Sequence, residues 1–185
     1  MNRLPKAAVL LALIGNLRKK GSWCGETHIQ KATYFLQELA QVPLDFGFIL
    51  YKHGPFSFDL RDEITALRAD GLLVIEPEEP YGPHFAITDL GRQFRDRFPK
   101  TIAGFQNQLD FVCDAIAPQG VADLERLATA LYVTLHSKPR TSLLKRAKAL
   151  CKAKPHISPS AAEEALRDCS KLRIRARALL ARSPR

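Results

Sequence analysis

The sequence predicts a mainly helical protein with a small β-hairpin: a winged-helix-like N-terminal unit over residues 1–100, then a helical extension over residues 101–185 with a basic end. Three observations carry this reading. Apolar residues recur at helical spacing through most of the chain. Residues 46–91 run strand, turn, helix, strand, turn, strand, which is the order of a winged helix. The positive charge is confined to the C-terminal end.

Pro5 suits a helix start, and Val9, Leu10, Leu13, Ile14 and Leu17 repeat at helical spacing until Gly21. A second helix is expected over residues 26–40, with Ile29, Ala32, Phe35, Leu36 and Leu39 on one face and Pro43 beyond its end. Residues 46–51 are aromatic and branched and read as a strand, and Gly54-Pro55 reads as the turn that follows. Ser57 then caps a helix over residues 58–70 by accepting a bond from a free backbone N–H. That helix turns Leu60, Ile64 and Leu67 inward and stops at Gly71. Residues 72–75 and 84–88 make a hairpin around a Pro- and Gly-punctuated turn, and Thr88 or Asp89 caps a short helix carrying Phe94 and Phe98 inward.

Beyond residue 101, one stripe holds Ile102, Phe105, Leu109, Val112 and Ile116; the next holds Leu124, Leu127, Ala128, Leu131 and Leu135. A helix over residues 141–152 is expected to bury Leu143, Leu144, Ala147 and Leu150. Pro155 and Pro159 bound a linker, and Ser160-Ala161-Ala162-Glu163 matches a capping box for the last helix.

The net charge of +9 is unevenly placed. Residues 1–137 hold 14 Lys and Arg against 16 Asp and Glu, whereas residues 138–185 hold 14 against 3. The four cysteines are far apart, without a CxxC pair, and read as reduced and mostly buried thiols. The apolar run 7–14 is too short to span a bilayer and lacks a cleavage site, so it reads as a buried helix. A cytoplasmic protein with no membrane contact is the expectation.

The parts of a winged helix that usually meet DNA are acidic here. The helix over 58–70 carries Asp59, Asp62, Glu63 and Asp70 against Arg61 and Arg68, and the wing turn adds Glu76, Glu78 and Glu79. Such a face repels a phosphate backbone. It is either solvated surface or the docking face for a basic protein, with Phe56, Phe58 and Tyr81 nearby as candidate anchors. The expected partner-binding residues are Tyr51, His53, Gly54, Pro55, Phe56, Ser57, Asp59, Asp62 and Glu63.

The cations Lys145, Lys148, Lys152, Arg173, Arg175 and Arg177 are the candidate phosphate contacts of an alternative reading, a regulator of duplex DNA. Also open are a solvated tail, an acidic protein partner, and a basic end folded over the acidic face. His53 beside Gly54-Pro55 suggests a catalytic or anion-binding turn, but no neighbouring carboxylate, nucleophile elbow or phosphate loop supports it. The isolated His28, His53, His84, His136 and His156 lack metal-site spacing. The sequence calls for no enzyme, metal or cofactor.

Several segments resemble the YwgA-like and SocA-like (Panacea) group of small bacterial and phage-associated proteins. They are Ile29-Gln30-Lys31 with Tyr34-Phe35-Leu36, then Gly54-Pro55-Phe56-Ser57, and Leu60, Ile64 and Leu67 leading to Gly71-Leu72-Leu73. Phe85-Ala86-Ile87-Thr88-Asp89-Leu90-Gly91 follows, with a weaker match at Lys154-Pro155-His156-Ile157-Ser158. The resemblance covers residues 5–100 well and the rest loosely; the basic end 171–185 is unmatched. It implies a winged-helix-like fold and, through the SocA-like branch, an association with toxin neutralisation or mobile-element biology, with a toxin as the candidate partner protein.

Overall fold

The computed structural model describes residues 1–78 and 82–182. The chain is mainly helical, with two small antiparallel sheets of two strands each. In order, the elements are α1 (Arg3–Lys19), α2 (Glu26–Glu38), β1 (Ile49–Tyr51), β2 (Gly54–Phe56), α3 (Phe58–Ala69), β3 (Leu73–Glu76) and β4 (His84–Ile87). They are followed by α4 (Asp89–Asp96), α5 (Pro99–Gly104), α6 (Gln106–Ile116), α7 (Val121–Leu135), α8 (Leu143–Ala153) and α9 (Pro159–Arg182).

The α1 helix is apolar on all sides because it is surrounded: every residue from Ala7 to Ile14 is buried, against α2, α4, α5, α6 and β4. The α2 helix packs on α6 and α7, and α9 lies along α7 and α8. One apolar cluster runs from Ala7 to Ala176, so residues 101–182 share a core with residues 1–100. Among the described residues, no helix is long and apolar enough to cross a membrane.

The single expected hairpin is corrected to two. Residues 46–48 are not strand, and Gly54-Pro55 is not the turn. The ladder pairs Ile49 with Phe56, Leu50 with Pro55 and Tyr51 with Gly54, leaving Lys52-His53 as the turn. Gly54, at φ +86°, takes the left-handed conformation that brings the chain back into register, as a bulge glycine does. The second hairpin pairs β3 with β4 from Leu73–Ile87 to Glu76–His84, close to expectation. Glu79 and Tyr81, assigned above to its turn, lie outside the described residues.

Caps agree at two helices and differ at a third. Ser57 Oγ accepts from Leu60 N–H at 3.2 Å, and Thr88 Oγ1 from Gly91 N–H at 2.9 Å. The last helix is capped by Ser158, which accepts from Ala161 N–H at 3.3 Å, and not by Ser160. Pro159 explains the difference: it needs no N–H partner and fits the first helical position, moving the start upstream. Leu144 and Leu135, expected inside, are 55% and 39% exposed. Leu135 is the last residue of α7, and Leu144 lies in the first turn of α8, where little packs over them.

Candidate functional site

The β1–β2 hairpin divides the expected docking residues into two sets. Gly54, Pro55 and Ser57 are buried, whereas Tyr51 and His53 point outward and Phe56 is half-buried. Ile49 and Tyr51 are two apart on one strand, and Phe56 stands directly opposite Ile49, so the three share one face. Phe58, at the start of α3, folds onto the same face. Ring centroids lie 5.6 Å apart for Tyr51–Phe56, 5.6 Å for Tyr51–Phe58 and 5.1 Å for Phe56–Phe58. The Arg61 guanidinium sits 5.0 Å over the Phe58 ring. Tyr51 is 52% exposed and Ile49 48%, a cost for apolar surface with no partner.

The acidic rim is smaller than the sequence implies. Asp59 and Asp62 are exposed, Asp62 with its Oδ1 3.4 Å from the Arg61 guanidinium, and Glu63 accepts from Arg3 Nε at 3.2 Å on both oxygens. In the second hairpin, Glu76 Oε2 lies 2.9 Å from His84 Nε2, and Glu78 Oε2 lies 3.3 Å from Nδ1. His84 is buried, edge-on to Trp23 at 5.4 Å. These two glutamates hold an imidazole, and the register that pairs Glu76 with His84 explains it.

Beneath the aromatic face lies a buried charge cluster that sequence reasoning missed. Lys31 Nζ donates to Pro55 O at 3.0 Å, and Gln30 bridges Ser57, accepting from its N–H at 2.9 Å and donating to its O at 3.0 Å. Lys154 Nζ donates to Tyr51 O at 2.7 Å and to Lys52 O, and stands 3.1 Å from Glu125 Oε1. His156 Nε2 is 3.5 Å from the same oxygen, and His53 Nδ1 is 3.9 Å from Oε2. Thus the carboxylate that His53 lacks in its own neighbourhood comes from α7. A Cβ on Gly54 would stand 3.1 Å from Thr129 Oγ1 and 3.5 Å from Lys31 Cε, so glycine lets the strand approach this cluster. Sequence held one clue: Lys31 and Glu125 interrupt the apolar stripes of α2 and α7 on their buried sides.

Burial lowers the Lys31 ammonium to about 8, Glu125 opposes the shift, and Lys154 adds to it. Between that value and the ordinary 10.5, the unfolded chain binds the proton and the folded chain does not, so this lysine's contribution to stability rises with pH. Relative to Lys31→Met, the wild-type chain should gain about 2 kcal/mol between pH 8 and roughly pH 10 in urea unfolding. The Cys24 and Cys113 thiols, pushed up to about 12 by burial, act in the opposite sense. Both proteins retain them, so the comparison cancels their effect. A difference that stays flat with pH contradicts the buried-ammonium account.

The C-terminal cations separate as well. Lys145, Lys148 and Lys152 are exposed, with no carboxylate within ion-pair distance among the described residues. Arg173 and Arg177 are one turn apart, whereas Arg175 lies on another side with its guanidinium 5.5 Å over Phe111. Among the described residues no ion pair joins α9 to Asp59 or Asp62, so nothing there ties the basic end to the acidic rim.

Compared with known proteins, the chain matches no family model, and no curated protein matches it.

Proposed function

We propose that this protein is a non-enzymatic regulatory interaction module of the antitoxin or mobile-element type, which docks a partner protein through the aromatic face of the β1–β2 hairpin. The observation that carries the reading is the cluster of exposed Tyr51 and Phe58 around half-buried Phe56, since solvent-facing aromatics grouped on a rigid support are what interface anchors consist of. Asp59 and Asp62 beside it favour a partner segment with an apolar or planar anchor flanked by Lys or Arg. A small basic toxin fits that chemistry, and a toxin is the partner class that the resemblance to the SocA-like branch implies. The order α2, α3, β3, β4 supports a winged-helix-like N-terminal unit, with the aromatic face at the entry to α3. The 3.9 Å separation of His53 from Glu125 exceeds a hydrogen bond, which favours a supporting role over acid–base chemistry.

The test is the Tyr51→Ser/Phe58→Ser double variant. Both side chains are exposed, so the fold should persist, while the affinity for a partner recovered from the native host should fall about 30-fold or more. Recovery of the same proteins at the same affinity by variant and wild type overturns the reading.

A further inference from the structure

The fold brings two basic segments together that lie about a hundred residues apart in sequence. Lys154 clamps the carbonyls of Tyr51 and Lys52, which fixes the Lys52-His53 turn against the α8–α9 linker. Lys52, His53, Lys152 and His156 all face solvent around this junction. The carboxylate between them, Glu125, is buried and already faces Lys154, with His53 and His156 on its two oxygens. Nearby acids are also engaged: Asp123 is bonded to Arg126 and Glu163 to Arg167. The exposed groups at the junction, Lys52, His53, Lys152 and His156, are thus cations or imidazoles, with the paired acids Asp123 and Glu163 nearby. The row Lys145, Lys148 and Lys152 runs into it along α8.

We infer that the Lys52-His53 turn, the α8–α9 linker and the α8 lysine row form one track for the phosphate backbone of duplex DNA. Spacing supports this occupant. Seven residues of helix rise about 10 Å, and a DNA strand carries a phosphate about every 3.4 Å of axis, so the three lysines fall within a run of about four successive phosphates. Protein interfaces are depleted in lysine and rely on aromatic anchors, and this row has none. Contacts to phosphate carry no sequence information, so the track binds without sequence preference. Arg175, stacked on Phe111, is not part of it. The track uses residues other than the aromatic face, so each surface stands or falls separately.

The experiment is fluorescence anisotropy of the full chain with a labelled random-sequence duplex across a salt series. Lys145→Gln/Lys148→Gln/Lys152→Gln should reduce the slope of log K against log salt by about 3, and Lys52→Gln by about 1. His53→Gln/His156→Gln should weaken binding about threefold or more. Tyr51→Ser/Phe58→Ser should bind DNA as the wild type does. Absence of binding at low salt overturns the track. Unchanged affinity and slope in Lys52→Gln and in the histidine variant overturn the junction's part in it. Competition by polyglutamate equal to that of DNA at matched charge overturns the choice of partner in favour of an acidic protein.

Discussion

Glu125→Gln is expected to destabilise the protein by about 3–5 kcal/mol in urea unfolding, because it removes the carboxylate that pairs with buried Lys154 and most strongly favours the charge on buried Lys31. Lys31 and Lys154 are 1% and 4% exposed, and each spends donors on backbone carbonyls of the hairpin. Carbonyl dipoles alone leave most of an ammonium's lost hydration uncompensated, so the charges would be relieved by opening the hairpin. The loss should therefore be accompanied by faster hydrogen exchange in residues 49–56. Replacing Lys31, Glu125 and Lys154 together with methionine should recover most of the stability, because an apolar filling of similar volume has no desolvation cost. A loss below about 1 kcal/mol in Glu125→Gln would mean that the cluster is hydrated in solution and does not clamp the hairpin.

Gly91→Ala should cost about 3 kcal/mol or more and lower Tm by about 10 °C. A Cβ there would stand 2.1 Å from Leu72 O and 2.8 Å from Ile87 Cγ2. The first of these is backbone, in the residue just before β3, and cannot rotate away. The first turn of α4 would have to lift off the sheet, breaking the Thr88 cap, whose hydroxyl also donates to Gly71 O at 2.7 Å. Gly104→Ala is the control: nothing lies within 4 Å of its Cβ position, and alanine there should be neutral or slightly stabilising. Equal Tm changes in the two variants would contradict the close approach at Gly91.

How far the sequence is legible depends on the range of the interaction involved. The stripes of α1, α2, α3, α6 and α7 follow from local periodicity, and most of their apolar positions are buried as expected. Ser57 and Thr88 are caps because an acceptor three residues ahead of a free N–H is a local signal. The β1–β2 ladder is not local in the same sense. Gly54-Pro55 has turn composition, and only its φ of +86° with the pull of Lys31 on Pro55 O makes it a strand edge. Charge was legible as composition but not as geometry: Glu63, Glu76 and Glu78 counted as a free acidic face, yet each faces a cation or an imidazole. The Glu125 cluster joins four segments, so no window of sequence contains it. Tyr51 and Phe56 are docking candidates by residue type, but their common face is set by the strand register, which no local pattern contains.

The most direct measurement places a photo-crosslinking benzoylphenylalanine at position 51 or 58, or at the exposed Ala178 of α9 as control, and illuminates the chain in its native host. If the aromatic face docks a partner, positions 51 and 58 capture the same protein and position 178 does not. Crosslinks at 51 and 58 no stronger than at 178 would contradict the central claim that this hairpin is an interface.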